Sequence, residues 1–231
     1  MEIGDYNFDD DLIAQTAGDR HPRVVVYRIE GRAVVLGRGS RPEDELEAES
    51  IVSDGIPVYR RRGGGCAVVL DEGNVIVSVV LPAMGFGKIR EYFELLSEWL
   101  ICALGDVGIR EVRREGISDL ALDGKKIAGA SMQRKPDYVY YTSSILFDPD
   151  TALMEKYLRH PPREPGYRRR RSHAEFAGSL INEGEFADIE SFMEGLRSGL
   201  NMERLMEMDV RRHSLILNAL WKDNRGRVEN E

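Results

Sequence analysis

One strongly amphipathic segment, with extended segments on both sides of it, most constrains what this chain can fold into. Between Lys88 and Leu104 the apolar residues recur at steps of three and four, the spacing that aligns side chains along one face of an α-helix. The residues of this stripe are Ile89, Tyr92, Phe93, Leu96, Trp99, Leu100 and Ala103. The spacing predicts a helix over residues 88–104 with one buried face. Cys102 lies next to the stripe, and we expect it to be a small core residue.

Segments rich in β-branched residues and bounded by glycine-rich turns occur before and after this helix. The predicted strands are residues 23–28, 33–36, 56–61, 67–70, 75–81, 118–122, 125–132 and 138–147. Glu30-Gly31-Arg32 predicts a hairpin-like turn, and Asp123-Gly124 is a strong hairpin signal. The predicted helices, besides 88–104, are residues 9–17, 42–53, 150–159, 172–180, 186–199 and 202–220. Strands at the front and helices behind, with no linker between them, predict one α+β domain with a helical tail.

The charge balance and the cysteine count exclude several classes of protein. The chain has 32 basic and 40 acidic residues, a net charge of -8, whereas binding to a nucleic-acid backbone needs surplus Lys and Arg. Two cysteines make neither a disulfide framework nor a zinc knuckle, and they fit a reducing cytosol. The acidic N-terminus and the lack of a long apolar run argue against a secretory signal or a membrane span. We therefore predict a cytoplasmic protein that binds neither nucleic acid nor membranes.

The first stretch that can carry chemistry is the run of three arginines and three glycines at residues 60–65, followed by Cys66 and by DEGN at 71–74. Adjacent glycines let a backbone approach a ligand closely, and successive free N–H groups in such a loop form a nest for an anion. Guanidinium groups supply charge-assisted contacts to phosphate. Strand alternation puts Arg61 on the opposite face from Arg60 and Arg62. An alternative interpretation is a flexible hairpin loop with solvated arginines.

The second stretch is Asp119 with DGKKIAGA at residues 123–130. Lys126 lies just after a tight turn, and Ala128 and Ala130 are expected to share its strand face, where small side chains leave room for a ligand. A lysine in that place can neutralise a phosphate or polarise an acyl oxygen. The alternative is a plain hairpin with two exposed lysines.

In their order and spacing these motifs resemble the lipoate–protein ligase A family within the biotin/lipoate ligase superfamily. The resemblance runs from VVLGR at 34–38 through both stretches, includes Ser118-Asp119-Leu120, and covers about residues 8–180. It implies a mixed, largely antiparallel sheet flanked by helices, related to biotin ligases and class II aminoacyl-tRNA synthetases. It also implies activation of lipoate by ATP to lipoyl-AMP, followed by transfer to a lysine of a lipoyl domain. On this basis residues 1–180 form the catalytic domain, and residues 181–231 form a helical extension packed on it.

The resemblance implies site residues as well. Lys126 matches the catalytic lysine that contacts the acyl carbonyl and the phosphate. Asp119 matches an acidic residue near the phosphate and its Mg²⁺ ion, and Arg61 an arginine at the acyl and phosphate site. The residues predicted to bind substrate or nucleotide are Arg61, Gly64, Gly65, Cys66, Asn74, Asp119, Gly129 and Ala130.

The chain also departs from the family pattern. Cys66 stands where many members have another glycine, Leu70 replaces a frequent histidine, and Tyr140-Tyr141-Thr142 takes the place of a common His-His-Gly segment. A large accessory domain does not fit into residues 181–231, so a separate accessory subunit is a candidate partner.

Two alternative functions remain open at the sequence level. One is an octanoyl- or lipoyl-transferase that works without ATP, with Cys66 as the acyl relay and neighbouring arginines favouring its thiolate. The other is a non-catalytic acyl-binding subunit. Biotin transfer is disfavoured because the Gly-Arg-Gly-Arg-x-Gly loop of biotin ligases is missing. Finally, Arg168–Arg171 is either a solvated basic face or a docking surface for an acidic lipoyl domain.

Overall fold

The computed structural model describes residues 1–184, 186–212 and 214–220. The strands are β1 (Ile3–Asp5), β2 (Arg23–Tyr27), β3 (Ala33–Leu36), β4 (Val58–Arg60), β5 (Val68–Leu70), β6 (Asn74–Pro82), β7 (Arg113–Glu115), β8 (Asp119–Leu122), β9 (Lys125–Arg134) and β10 (Tyr138–Leu146). The helices are α1 (Asp10–Asp19), α2 (Pro42–Glu45), α3 (Ala48–Ser53), α4 (Ile89–Asp106), α5 (Thr151–Tyr157), α6 (His173–Phe176), α7 (Ile189–Gly199) and α8 (Met202–Arg212). Residues 215–220 are also helical.

The strands form two sheets. The larger sheet has the order β2-β6-β10-β9-β8-β7 and is antiparallel throughout. The smaller sheet has the order β1-β4-β3-β5, in which β4 runs parallel to both of its neighbours. The predicted fold class, a mixed and largely antiparallel sheet flanked by helices, is confirmed.

The main core lies between the larger sheet and α4. The stripe on this helix is buried as the spacing predicts, except that Ile89 at its first turn is exposed. Helices α7 and α8 pack against α4, and α7 also contacts β2 of the larger sheet. The Trp99 indole donates a hydrogen bond to the Asn201 carbonyl at 3.1 Å. The described part of the C-terminal extension therefore shares its core with the residues before it. Residues 185, 213 and 221–231 of the predicted extension lie outside the described residues.

A predicted hairpin and a predicted helix are wrong. The turn at residues 30–32 joins strands of different sheets, because β2 pairs with β6 whereas β3 pairs with β4 and β5. The reason is burial: all four residues of β3 are buried, as suits an inner strand covered on both faces. The helix predicted at 42–53 is broken between α2 and α3, because Leu46 is extended and 1% exposed and pairs with Leu158. Here burial of one leucine outweighs local helix propensity.

Cys102 is not in the core. Its side chain is exposed, because six residues of helix separate it from Leu96 and turn it roughly 120° away from the centre of the stripe. The predicted helix at 202–220 is also interrupted, with Ser214 at φ 49° and Asp209 accepting hydrogen bonds from the backbone amides of residues 215–217. Within the described residues, no helix combines the length and apolarity needed to cross a bilayer.

Candidate active site

A cavity of about 510 Å³ lies between the two sheets. Its apolar wall comes from both of them, and includes Val35, Val69, Leu70, Ile76 and Leu146. Charged side chains converge on the same space, and include Arg61, Asp119, Lys126 and Arg168. A mostly apolar cavity with a few charged groups suits a ligand that joins an apolar chain to a charged head.

Lys126 is held beside Asp119 by the hairpin of β8 and β9. Its Nζ lies 2.8 Å from Asp119 Oδ1, and the Tyr167 hydroxyl donates to Asp119 Oδ2 at 3.0 Å. The backbone of Lys126 is also held from the other side, since the Gly178 amide donates to its carbonyl at 2.7 Å. Burial and the nearby Asp119 carboxylate raise the pKa of Tyr167, so its hydroxyl keeps its proton.

The small residue that makes room for Lys126 differs from the one expected. A register shift in the β8–β9 pairing leaves one extra residue on β9, so Lys126 shares a side with Gly129 rather than with Ala128. Ala128 is fully buried in the core. A Cβ on Gly129 would lie 2.6 Å from the lysine Nζ. Gly129 thus provides the space that the ammonium group occupies.

The glycine-rich loop closes another side of the cavity. A Cβ on Gly37 would lie 1.9 Å from the Gly65 carbonyl oxygen, so the close approach of the two backbones requires glycine at position 37. Gly65 has φ 97°, a conformation that favours glycine. Arg61 lines the cavity and donates to the carbonyls of Val35, Gly64 and Cys66. Burial lowers the pKa of Arg61 to about 10, which still leaves it positively charged at neutral pH.

The two arginines on either side of Arg61 bind groups outside the cavity lining. Arg60 donates to the carbonyls of Gly37 and Ser40, and Arg62 pairs with Asp10 at 2.6 Å. The strand alternation therefore separates the three arginines as the sequence predicts. One of the three, Arg61, reaches the cavity.

Cys66 lines the cavity, but its surroundings do not favour a thiolate. Its Sγ lies 3.5 Å from the Arg163 carbonyl oxygen. Burial, together with the carboxylate of Glu45, raises the pKa of the Cys66 thiol despite the nearby Arg61 and Arg163. The neighbouring arginines favour the thiolate as the sequence predicts, but burial and Glu45 outweigh their effect on the pKa.

Seven of the predicted site residues meet at the cavity, and two do not. Those that line it are Arg61, Gly65, Cys66, Asp119, Lys126, Gly129 and Ala130. Gly64 is exposed and lies outside the lining. Asn74 is fully buried outside the lining as well, where its Oδ1 accepts from the Asp71 amide at 2.7 Å. Asn74 is the first residue of β6, and its Nδ2 has no hydrogen-bond partner among the described residues.

The sequence analysis missed several cavity residues that come from the segment after α5. Arg168 belongs to the predicted basic face, yet its side chain is 6% exposed and lines the cavity. Arg171 donates to the carbonyls of Gly124 and Tyr167, whereas Arg169 and Arg170 are exposed. Glu45, also missed, is buried in the lining. No periodicity or spacing in the sequence marks any of these residues.

The surroundings of Asp119 do not form a metal cage. Both of its oxygens already accept hydrogen bonds or pair with protein groups, namely Tyr167 and Lys126. Over residues 1–184, 186–212 and 214–220, no group of three His, Cys, Asp or Glu side chains is placed to hold a metal ion. Since Mg²⁺ beside a nucleotide phosphate needs only one or two protein carboxylates, the predicted contact of Asp119 with Mg²⁺ stays a prediction.

Comparison with known proteins identifies the fold and the family. The model of the lipoyl protein ligase A/B catalytic domain matches residues 5–201. The chain belongs to this family. In structure it is similar to the bi-partite lipoate protein ligase of Thermoplasma acidophilum, with a TM-score of 0.70 and 21% identity over 90% of this chain and 81% of that one. It is equally similar to a lipoate-protein ligase A bound with ATP, with a TM-score of 0.70 and 21% identity over 87% of this chain and 77% of that one.

Two curated members of the family differ in how much of their length the chain matches. A lipoate–protein ligase of Streptococcus pyogenes is 35% identical over 127 residues, which are 54% of this chain and 36% of the relative. An octanoyltransferase LipM of Kyrpidia tusciae is 26% identical over 213 residues, which are 81% of this chain and 77% of the relative. The chain thus aligns with well under half of that ligase and with most of the transferase.

Proposed function

We propose that this chain is a lipoate–protein ligase, which activates lipoate with ATP and transfers the lipoyl group to a lysine of a lipoyl domain. The observation that carries the proposal is Lys126, held by Asp119 at 2.8 Å inside a cavity whose other wall is apolar. Family membership and the ligase of Streptococcus pyogenes support the same activity.

In the first step a carboxylate oxygen of the acyl substrate attacks the α-phosphate of ATP, the bond to the β-phosphate breaks, and acyl-AMP and pyrophosphate form. Two anions must therefore meet. The apolar wall between the sheets accepts the acyl chain, which sets the position of its carboxylate. Lys126 and Arg61 contribute positive charge to the cavity and reduce the repulsion between the anions. The other substrate is ATP, the nucleotide bound in the similar structure of a lipoate-protein ligase A.

In the second step the amine of an acceptor lysine attacks the acyl carbonyl, and negative charge develops on the carbonyl oxygen. The C–O bond to AMP then breaks, and AMP leaves as the amide forms and the nitrogen loses a proton to solvent. Lys126 donates a hydrogen bond to this oxygen, and Asp119 keeps the ammonium group in place. The acceptor is a lipoyl domain, the partner named for the bi-partite ligase of Thermoplasma acidophilum. Because that ligase is bi-partite, we also propose that a separate accessory subunit assists the reaction. The exposed Arg169 and Arg170 favour an acidic acceptor surface.

The division of labour along the chain is part of the same proposal. Residues 1–180 carry the cavity, and in the described part of residues 181–231 the helices α7 and α8 pack against α4. We expect the protein to work in the cytoplasm.

An ATP-independent octanoyltransferase is the second candidate, because LipM aligns with most of this chain. That reaction passes the acyl group through a thioester and needs a reactive thiol in the cavity. Cys66 is the cavity cysteine, since Cys102, the other cysteine of the sequence, is exposed on α4. The raised pKa of Cys66 weighs against this candidate.

One assay separates the candidates. The protein is incubated with an apo lipoyl domain in two mixtures, lipoate with ATP and octanoyl-carrier protein without ATP, and the mass of the acceptor is read. A ligase adds a lipoyl group in the first mixture only, and releases pyrophosphate. Acylation in the second mixture would replace the proposal with the transferase, and no acylation in either would leave an acyl-binding subunit.

A further inference from the structure

One arginine in the wall of the cavity has a guanidinium nitrogen that no described protein group satisfies. Arg168 lines the cavity and its side chain is 6% exposed. Its Nη2 is closed off from solvent and has no hydrogen-bond partner among the described residues. A buried charged donor without an acceptor is costly, so such a group in a cavity wall indicates a bound acceptor.

The rest of this guanidinium is held in place by the protein. The Nε of Arg168 donates to the Arg171 carbonyl at 3.0 Å, and Arg171 Nε donates back to the Arg168 carbonyl at 3.0 Å. The guanidinium carbon of Arg168 lies 4.8 Å from the centre of the Phe176 ring. The side chain is therefore fixed before any ligand arrives, which lowers the entropic cost of binding.

Nearby carboxylates do not neutralise this charge fully. Glu164 Oε2 lies 3.7 Å from Arg168 Nε, beyond hydrogen-bond distance, and the same oxygen lies 2.9 Å from His160 Nε2. The other oxygen of Glu164 accepts from the Arg170 amide. Burial lowers the pKa of Arg168, with Arg171 adding to the effect against the attraction of Glu164 and of Glu155. An anion in the cavity would relieve this cost.

We propose that Arg168 binds a phosphoryl oxygen of the nucleotide in the cavity, with its guanidinium group. This inference rests on the proposed function. A guanidinium fork matches the geometry of a phosphate, and a fixed one does so with little further ordering. The preceding residue, Tyr167, contacts Asp119, which holds Lys126, so the same short segment reaches the reactive lysine and presents Arg168. The phosphate that must lie near Lys126 during activation is the acceptor that Arg168 lacks.

The test compares the binding of AMP with that of adenosine, which differ by the phosphate. Isothermal titration is carried out on the full chain and on the variant Arg168→Gln. We expect the variant to bind AMP at least about tenfold more weakly, the usual effect of losing one charge-assisted hydrogen bond, while adenosine binding stays the same. The matched control is Arg169→Gln, which removes the neighbouring and exposed arginine and should leave AMP binding unchanged.

A second variant covers the case in which Arg168→Gln does not fold. Arg168→Lys keeps the charge and loses the fork, and we expect it to bind AMP more weakly than the wild type, with adenosine unaffected. Thermal unfolding of each variant without ligand confirms that the fold is intact.

Three outcomes would overturn the assignment. They are equal losses for AMP and adenosine, a loss for lipoate instead of AMP, and an unchanged AMP affinity in the folded variant. If the wild-type chain ligates lipoate while Arg168→Gln binds AMP normally, the role assigned to Arg168 is wrong and the proposed ligase activity stands. If the wild-type chain binds no nucleotide, the proposed ligase activity fails with it.

Discussion

Replacing Gly129 by alanine should abolish most of the activity without harming the fold. The new Cβ would lie 2.6 Å from Lys126 Nζ, and the closest ordinary contact is 3.4 Å, so the ammonium group must retreat by about 0.8 Å. Displacements of about 1 Å at a reacting centre cost on the order of a hundredfold in rate. We therefore expect kcat for lipoyl transfer to fall by about a hundredfold.

The same variant should be as stable as the wild type or more stable. The atoms in the way are the end of a flexible side chain, and Gly129 does not need a positive φ. A glycine replaced by alanine in a compatible conformation gains about 0.4–1 kcal/mol, because the unfolded chain has fewer conformations. Thermal unfolding should show a melting temperature equal to or above that of the wild type.

A double-mutant cycle tests whether the fall in kcat of Gly129→Ala comes from the displacement of Lys126. In a Lys126→Ala background there is no ammonium group to displace, so adding Gly129→Ala should change the residual rate very little. Equal fractional losses of kcat in both backgrounds would refute the argument, since the alanine would then act on something other than Lys126.

Three further variants test other parts of the site. Lys126→Ala should remove about 3–4 kcal/mol of transition-state stabilisation and leave the melting temperature near that of the wild type. A turnover above a tenth of the wild-type value would show that Lys126 has no part in the mechanism. Cys66→Ser should keep most of the ligase activity, measured as acceptor mass and pyrophosphate release, whereas loss of an ATP-free octanoyl transfer in this variant would establish the thiol relay. Arg169 and Arg170 are both exposed, and replacing both by Glu should raise KM for the acceptor more at low salt than at high salt and leave KM for lipoate unchanged. If KM for the acceptor does not change at low ionic strength, the two arginines are solvated surface charges without a docking role.

Local patterns in the sequence predicted those parts of the fold that local interactions decide. The three- and four-residue steps in α4 and the Asp123-Gly124 turn are determined by residues close together in the chain, and the structure contains both. The pairing of β3 depends on β4 and β5, which lie many residues further along, and no local signal separates it from a hairpin with β2.

The same distinction between local signals and long-range contacts applies to the cavity. Lys126, Asp119 and Arg61 stand in motifs that a resemblance can identify, and the cavity includes all three. Arg168 belongs to a run of four arginines whose composition indicates a solvated surface, and it is buried because Phe176 covers its guanidinium. Gly129 rather than Ala128 lies beside the lysine, because a one-residue shift in pairing reverses which side chains share a face.

The hydrogen bond from Gly178 to the Lys126 carbonyl has a consequence for the order in which the protein becomes active during its synthesis. The hairpin that carries Asp119 and Lys126 leaves the ribosome well before the segment that contains Tyr167 and Gly178. An unfinished chain therefore has the ion pair without the two later groups that support it. Activity therefore has to wait for the last part of the cavity to dock. A nascent chain that stops before Gly178 contains every motif recognised in the sequence and still lacks an assembled site.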